Sequence, residues 1–584
     1  MVAITINSFV GEQPRIVPRN IPNNASQNAQ NTRLDDGALT PIRTPQEEHD
    51  PSPTDWSSNQ TIFKHGSTWY SWAGVVNAAP GPVATDRLYF TGDGVPKMKV
   101  SGTDYNLAVS RSAVALTATL GGVGSGDVTT RVYVYTYVTD YGEESEPNPA
   151  SNEIDWQPGN TVTLSGFEAA PAGRNITKQR IYRSQTGQTG TYFYLIAERT
   201  ASASNFVDNI AVDAFQEVLP SADWNTPPDT LTGLTPLDNG MMAAFTGNKL
   251  YFCEPYHPHA WPEKYVLTFD YPIVAVRKAG PLQVVMTEGT PYLVTGTAPE
   301  NMQSRQLEYN APCINARGVV DLGYAIAYPT HEGLVVVDAG GGVKIATRKL
   351  FKKEDWLALS PSTIVAAQLS GQYAMFYDTT DALGTTVQGG LFIDTVGEEY
   401  LSRFTEIAKA TFFDRTASKL YYLDTAGKVQ EFDGEQSPRH NMNWRSKEFV
   451  FPLPVGMAAI MIDADSTLTA QETANIAAQN TAIAAANAAA IAAGPVRGSL
   501  NSRALNTTRL SGSDLTPLVA EQYESMTATI YADGQAVATI SETNKQKRLP
   551  SDRTARKWVI DVFGTIQIQR IAMASRADEL RTTP

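Results

Sequence analysis

Short runs in which apolar and polar residues alternate recur along most of this chain. In the clearest run, residues 131–138, the alternation predicts that Tyr133, Tyr135 and Tyr137 lie on one face of a strand, opposite Thr136 and the valines. Gly, Pro, Asn and Asp cluster between the runs, which is typical of turns between short strands. The pattern therefore predicts a mainly β protein.

Several such strands lie at even spacing in residues 109–220. Further runs at 161–164, 179–183 and 191–197 are separated by loops rich in Gly, Ser, Thr and Asn. This many strands within roughly 110 residues predicts a β-sandwich. In its pattern the region resembles a fibronectin type III-like module.

Paired strands also recur in residues 221–465, with a period of about 40 to 50 residues. Residues 249–252 (KLYF) and 419–422 (KLYY) repeat the RLYF of residues 87–90. Two to four short strands in each period are the signature of β-propeller blades. We predict a discontinuous propeller, and a second sandwich or a jelly roll is the alternative. Its first part is expected in residues 51–108, its main blades in 221–465 and its closing strands in 518–584.

The first fifty residues depart from the β pattern. Residues 1–50 are polar and irregular, rich in Asn, Gln, Ser and Pro, so they have little apolar surface to bury on their own subunit. We expect an extended N-terminal arm that becomes ordered only on a neighbouring subunit in an assembly. A terminus without fixed structure is the alternative.

Residues 466–517 are predicted to form a helical insertion. Thr469 and Glu472 have the spacing of a capping box, alanine dominates as far as Ala493, and Gly494-Pro495 ends the helix. Three isoleucines spaced seven and eight residues apart form one narrow apolar stripe and are our candidate assembly or gating residues: Ile476, Ile483 and Ile491. We expect the helix to project and pack on a neighbour, and folding back on its own propeller is the alternative.

Composition restricts the class of protein. The formal net charge of −14 should repel nucleic acid and anionic membranes. Cys253 and Cys313 are the only cysteines, so a disulfide scaffold is excluded and both are expected to be buried thiols. No apolar run of 18 or more residues and no basic-then-apolar leader is visible, which favours a soluble protein made in the cytoplasm.

Candidate catalytic chemistry is sparse. The sequence has no nucleophile elbow, Walker loop, HExxH helix or CxxC pair. Residues 340–342 (GGG) are predicted to be a hairpin turn, and His257 and His259 a surface loop without a third metal ligand. Asp463 and Asp465 lack the Gly and distal Glu of a calcium loop. We therefore expect neither an enzyme nor a cofactor, although a glycosidase pair of carboxylates remains open.

A set of short segments covers both ends and the propeller-like middle of the chain, and none of them is a catalytic motif. They are residues 31–34 (NTRL), 37–43 (GALTPIR), 61–63 (TIF), 69–72 (WYSW), 87–97 (RLYFTGDGVPK), 444–449 (WRSKEF), 556–562 (RKWVIDV), 571–575 (IAMAS) and 579–580 (EL). Together these segments resemble the nozzle proteins (tail tubular protein B type) of short-tailed bacteriophages and their relatives in other tailed phages.

The resemblance implies a β-propeller subunit of a virion tail, assembled in the host cytoplasm. It implies a homohexameric ring below the portal and adaptor that forms the distal channel through which DNA passes without specific binding. The implied partners are other copies of the chain, a tail adaptor or portal-proximal protein, and tail fibre or distal tail proteins.

A second function class is a carbohydrate-binding or glycan-cleaving β-propeller. Trp69, Trp72, Trp261 and Trp444 are the aromatic residues that would stack on sugars, although such residues more often fill the interfaces between blades. A cell-surface adhesin is a third possibility, and the absence of an export signal argues against it.

Overall fold

Antiparallel β-sheets account for most of the ordered structure. The computed structural model describes residues 3–187, 190–211, 217–280, 282–380, 384–397, 399–466, 470–492, 524–550 and 552–581. Strands make up 46% and helices 7% of the chain, which confirms the prediction of a mainly β protein. The chain divides into two compact units. The first unit comprises Met1–Ser57, His331–Leu334 and Ile345–Pro584, and the second comprises Ser58–Thr330 and Val335–Lys344.

Four-stranded antiparallel sheets built from consecutive strands recur from residue 77 to residue 345. Each of these sheets is a meander in which every strand pairs with the next one along the chain. In spatial order their strands are Thr103–Asn106, Lys97–Val100, Arg87–Thr91 and Asn77–Pro80; Thr232–Pro236, Met242–Thr246, Lys249–Phe252 and Leu267–Thr268; Ile273–Ala279, Leu282–Thr287, Tyr292–Thr295 and Gln303–Gln306; and Val320–Asp321, Ala325–Thr330, Gly333–Asp338 and Val343–Ile345.

The second unit also contains a hairpin and the strands predicted for residues 109–220. The hairpin joins Thr61–His65 to Thr68–Trp72. The strands of the 109–220 region, which we call the inserted module, form two three-stranded sheets and a two-stranded sheet. In spatial order they are Thr117–Gly121, Thr161–Ser165 and Phe206–Asp208; Tyr133–Thr139, Ile176–Gly187 and Gly190–Thr200; and Thr129–Arg131 with Ile154–Trp156.

The two three-stranded sheets of the inserted module share one core. Tyr133, Tyr135 and Tyr137 lie in a buried cluster with Val162 and Leu164 of the other sheet. On the opposite face of the same strand, Val134 packs against Tyr182, Leu195 and Leu219 in a separate cluster. The predicted alternation is confirmed, and both faces of this strand are buried.

The turn after Arg87–Thr91 depends on two glycines with different surroundings. Gly92 has φ +99°, and a Cβ built there would lie 2.3 Å from the carbonyl oxygen of Val75. Gly94 has φ +75°, and a Cβ added there would have no neighbouring atom within 4 Å, so an alanine meets only the unfavourable φ. We expect Gly92→Ala to lower the free energy of unfolding by about 3 kcal/mol and Gly94→Ala by about 1 kcal/mol. Urea unfolding followed by tryptophan fluorescence measures both, and equal losses would contradict the close contact.

The first unit is built around a ten-stranded sheet. Nine of its strands follow one another in space, and Phe449–Val455 pairs separately with Ala555–Gly564. The order is Val365–Leu369, Gln372–Thr380, Thr386–Ile393, Leu401–Phe404, Ser26–Gln30, Met442–Ser446, Ala555–Gly564, Met526–Ala532 and Gln535–Ile540.

Smaller sheets complete the first unit. Two of these sheets have four strands and one has two. Each of them contains at least one strand from residues 1–50. They are Ala3–Ile6, Gln567–Ala574, Ala459–Asp465 and Lys547–Arg548; Ala410–Asp414, Lys419–Leu423, Val429–Glu431 and Gln46–His49; and Thr32–Arg33 with Thr40–Pro41.

Helices are few in the described residues. Two are α-helices and four are single 3₁₀ turns. They are Lys353–Leu357 and Ala470–Ala492, with the 3₁₀ turns Glu263–Tyr265, Pro299–Asn301, Ala316–Gly318 and Glu579–Arg581.

The N-terminal segment is not an arm, which corrects the prediction for residues 1–50. Ala3–Ile6 pairs with Gln567–Ala574, and Ser26–Gln30 lies inside the ten-stranded sheet. Ile6 and Phe9 are each 1% exposed, and the Phe9 ring packs edge-on against Trp444 with 5.1 Å between centroids. The segment buries its few apolar side chains against strands far along the chain, so its polar composition was misleading.

The C-terminal strands pair elsewhere than the predicted ring would suggest. Residues 526–574 pair with Ala3–Ile6, Met442–Ser446 and Ala459–Asp465 in the first unit. The strands of residues 61–106 pair only among themselves and belong to the second unit. No sheet of the described residues therefore joins the two segments, and their closure into a single ring stays a prediction.

Candidate functional site

The helix Ala470–Ala492 carries the predicted assembly residues. Its 23 residues span about 35 Å, and Glu472 is its single charged residue. Ile476 is buried at 8% exposure and Ile483 is half-buried, whereas the side chain of Ile491 lies outside the described residues. Thr469 and residues 493–517, on which the predicted cap, stop and remainder of the insertion depend, also lie outside them.

Ten of the 18 side chains of this helix that the structure describes are exposed alanines. An isolated alanine-rich helix of this length is only marginally stable in water, because packing supplies most of the stability of helices in proteins. The side chain of Thr481 donates a hydrogen bond to the carbonyl oxygen of Ala477 at 2.7 Å, within the helix itself. The structure therefore presents a nearly uncharged helix whose apolar stripe runs through Ile476 and Ile483.

Buried charged groups are concentrated in the inserted module, where sequence reasoning placed no site. The Asp208 carboxylate is fully buried and accepts hydrogen bonds from Arg183 Nη1 at 3.0 Å and from the Tyr133 hydroxyl at 2.8 Å. Arg131 Nη1 lies 3.8 Å from Asp208 Oδ2, and the Arg131 guanidinium stacks 3.4 Å from the centre of the Trp156 ring. Burial raises the pKa of Tyr133, so its hydroxyl remains a donor to Asp208.

A second buried carboxylate, that of Glu144, lies on the other face of the strand Tyr133–Thr139. Glu144 accepts hydrogen bonds from Thr136 Oγ1 at 2.7 Å, from the Tyr182 hydroxyl at 2.6 Å and from Arg180 Nη1 at 2.9 Å. Burial and the Glu144 charge both raise the pKa of Tyr182. Every oxygen of this carboxylate is therefore occupied by the protein itself, which is typical of a structural group.

A third group combines charged and polar side chains from three segments of the second unit. We call it the joint cluster and define it by Arg87, Tyr89, Glu143, Arg174 and His259. Arg174 Nη2 donates to Glu143, and Arg87 Nη1 lies 3.9 Å from the other oxygen of that carboxylate. Burial lowers the pKa of His259 to about 4 and raises the pKa of Tyr89 to about 12.

The two histidines of residues 257–259 do not form the surface loop that we predicted. His259 is 2% exposed and its Nε2 lies 3.0 Å from the Glu144 carbonyl oxygen, whereas His257 Nδ1 lies 2.8 Å from the Pro255 carbonyl oxygen. The Trp224 ring packs on His257 with 4.3 Å between centroids. No group of three or more His, Cys, Asp or Glu residues with metal-binding geometry occurs in the part of the chain that the structure describes.

The remaining sequence candidates fall in structural positions. Cys253 and Cys313 are buried free thiols, as predicted, and burial raises the pKa of each to about 12. The residues 340–342 form a turn, with the backbone N–H groups of Gly340 and Gly342 donating to Asp338. Asp463 lies on a strand and accepts a hydrogen bond from Arg570 at 2.8 Å.

The four tryptophans considered for sugar stacking offer little exposed ring surface. Trp261 and Trp444 are 1% and 0% exposed and belong to cores of their units. Trp69 is buried as well, and Trp72 is half-buried against the Phe90 ring at 5.3 Å. A sugar needs a free ring face, so three of the four candidates are removed.

Membrane insertion through a helix finds no support in the described residues. None of their helices combines the length and the apolar character needed to cross a bilayer.

Comparison with known proteins gives no family for the chain. No protein-family model and no curated protein matches it. One structural likeness is PorZ, a bacterial surface component of the type-IX secretion system of Porphyromonas gingivalis, with 10% identity over 63% of this chain and 43% of that chain and a TM-score of 0.21. A second is Sqt1 of Saccharomyces cerevisiae, with 10% identity over 67% of this chain and 98% of that chain and a TM-score of 0.25. A third is the N-terminal domain of Nup159, with 9% identity over 43% of this chain and 86% of that chain and a TM-score of 0.22. The chain spans less than half the length of PorZ, and at these TM-scores the likenesses carry no argument about its fold or function.

Proposed function

We propose that this chain is a structural subunit of a tailed bacteriophage tail, a nozzle-type β-propeller protein that assembles into a six-fold ring. The observation that carries the proposal is the series of four-stranded meander sheets between residues 77 and 345, which have the strand order of propeller blades. The nozzle-like segments of the sequence, among them residues 87–97, lie partly in these sheets.

The inserted module is proposed to be a fibronectin type III-like sandwich set between two of these blades. In support, its two three-stranded antiparallel sheets share one core, and its strands from Thr117–Gly121 to Phe206–Asp208 lie within residues 109–220. Its buried ion pairs hold its own strands together, so the module serves as a scaffold for contacts in the tail.

Charge favours a channel that conducts DNA without holding it. Each subunit contributes a net charge of −14, and a ring of such subunits sets up a field that repels phosphate groups. DNA passing through the ring would then meet few attractive contacts. The proposed role is mechanical, and we propose no catalytic step.

The helix Ala470–Ala492 is proposed to make the contact between neighbouring subunits. Its surface carries one charged residue, so a matching helix of another copy can approach it at little desolvation cost. The half-buried Ile483 would supply the apolar contact, since Ile476 is already covered within the subunit, and the asparagines at 475, 480 and 487 would lie beside it. Packing of these helices around one axis would narrow the exit of the channel.

Mass photometry and negative-stain imaging of the purified chain, alone and added to tail complexes that lack it, test the proposal. We expect six-fold rings for the unmodified protein. The Ile483→Asp variant is expected to reduce ring formation at least tenfold, because a carboxylate would enter the contact. The matched control is Ala485→Asp, which places the same charge on an exposed position of the helix two residues away.

Thermal unfolding of the monomers separates assembly from folding. If the control assembles, and both variants unfold at the temperature of the unmodified protein, the loss of rings belongs to the contact. A stable monomer that never forms rings and binds glycans would contradict the proposal and favour the carbohydrate-binding alternative.

A further inference from the structure

Three segments of the second unit meet at the joint cluster. Arg87 and Tyr89 come from the strand Arg87–Thr91, Glu143 and Arg174 from loops of the inserted module, and His259 from the loop after Lys249–Phe252. The backbone adds a direct link, since the His259 ring bonds to the carbonyl oxygen of Glu144. The cluster therefore joins the inserted module to the two sheets that precede and follow it in the chain.

The cluster contains an unusual number of buried polar atoms without a hydrogen-bond partner in the described residues. The donors are Arg174 Nε and Nη1, and the acceptors are Glu143 Oε1 and His259 Nδ1. Asn175 Oδ1, next to Arg174 in the chain, is a further acceptor of this kind. Each such atom costs about 1–3 kcal/mol if it stays unpaired, and in native proteins ordered water usually completes the bonds.

Water fits this set of atoms better than an ion does. Unpaired donors and acceptors are both present, and water is a small molecule that donates and accepts at once. An anion would bond to Arg174 but would leave the Glu143 oxygen and His259 Nδ1 without donors. A cation would meet the guanidinium groups of Arg87 and Arg174.

Protonation of His259 would upset this arrangement. A carbonyl oxygen only accepts, so His259 Nε2 carries the proton that bonds to Glu144, and Nδ1 is unprotonated. A proton added at Nδ1 would create a buried cation beside Arg174 and near the second ring, His257. Glu143 is the charged group that would stabilise it, but one of its oxygens is already bonded to Arg174.

We propose that the joint cluster is a hydrated, pH-sensitive latch that holds the inserted module to the neighbouring sheets at neutral pH and opens as the pH falls. The pH shifts the equilibrium in this direction because the His259 imidazole is neutral in the closed state. Opening exposes His259 to water, where its pKa returns to 6.5 from about 4, so acid favours the open state. The closed state is fully favoured above the open-state pKa and loses stability as the pH falls toward 4.

Hydrogen–deuterium exchange across a pH series tests the latch in the full chain. After correction for the intrinsic pH dependence of exchange, peptides covering residues 139–146 and 253–262 should show an opening equilibrium that rises about 30-fold from about pH 7.5 to about pH 5. The variant His259→Gln keeps an N–H donor for the Glu144 carbonyl and does not titrate, so its opening should change less than about threefold.

Two further variants decide which group is responsible. His257→Gln should retain the response of the unmodified chain, because His257 contributes to the field at the cluster without being its buried acceptor. Glu143→Gln should keep a response, since His259 remains. A response that persists in His259→Gln and disappears in Glu143→Gln would overturn the proposal, as would an unmodified chain with no pH-dependent opening in these peptides.

Discussion

Replacing Ile6 by aspartate is expected to destabilise the first unit by about 4 kcal/mol or more. Ile6 is 1% exposed, pairs with Ile571 on the neighbouring strand and belongs to the large core that includes Ile462 and Met573. A carboxylate at this position would have to lose its water or its charge among the buried apolar side chains of this cluster. Urea unfolding of the purified chain gives the loss in free energy directly.

The neighbouring position provides the control. Thr5 lies on the same strand with its side chain on the other face and half-exposed, so Thr5→Asp should cost less than about 1 kcal/mol. The comparison also tests the placement of residues 1–50 in the core of the first unit. If the segment were an arm on a neighbouring subunit, Ile6→Asp would leave the stability of the isolated chain unchanged.

Replacing Asp208 by alanine is expected to destabilise the inserted module by about 3–5 kcal/mol. The substitution leaves the guanidinium groups of Arg183 and Arg131 buried, with 3% and 4% of their side chains exposed and no carboxylate between them. It also removes the acceptor of the Tyr133 hydroxyl. Breaking a buried ion pair by removing one partner is costly because the remaining charge stays out of water.

An exposed ion pair in the same unit calibrates this result. Asp223 pairs with Lys264 at 2.9 Å, and more than half of each side chain is exposed. Asp223→Ala should therefore change the free energy of unfolding by no more than about 1 kcal/mol. Chemical denaturation, with hydrogen exchange to localise the loss to residues 117–208, measures both variants. Equal small losses would mean that water, and not Asp208, satisfies the two arginines.

Local patterns were sufficient to predict much of the strand content. The alternation of tyrosine and valine in residues 131–138 identified both faces of that strand, because side chains in a strand alternate whatever its partners are. The turn at residues 340–342 and the helix at 470–492 were also predictable from glycine, alanine and their flanking residues. These features depend on neighbours close along the chain.

Features that depend on distant partners were not predictable. Ser26–Gln30 reads SQNAQ, a composition with low strand propensity, yet it lies inside the ten-stranded sheet between Leu401–Phe404 and Met442–Ser446. The same applies to His259, whose buried ring bonds to the carbonyl oxygen of Glu144 in the inserted module. The acceptor and the histidine are 115 positions apart, and no spacing in the sequence connects them.

The pairing of the first strand with the last has a consequence for synthesis on the ribosome. The partner of Ala3–Ile6, Gln567–Ala574, is translated roughly 560 residues after it, which takes roughly half a minute to two minutes at ordinary elongation rates. Throughout this interval Ile4 and Ile6 lack the strand that they pair with, while residues 58–344 are already available to fold. We therefore expect the second unit to fold first on the nascent chain, and the first unit to close only after Gln567–Ala574 has been synthesised.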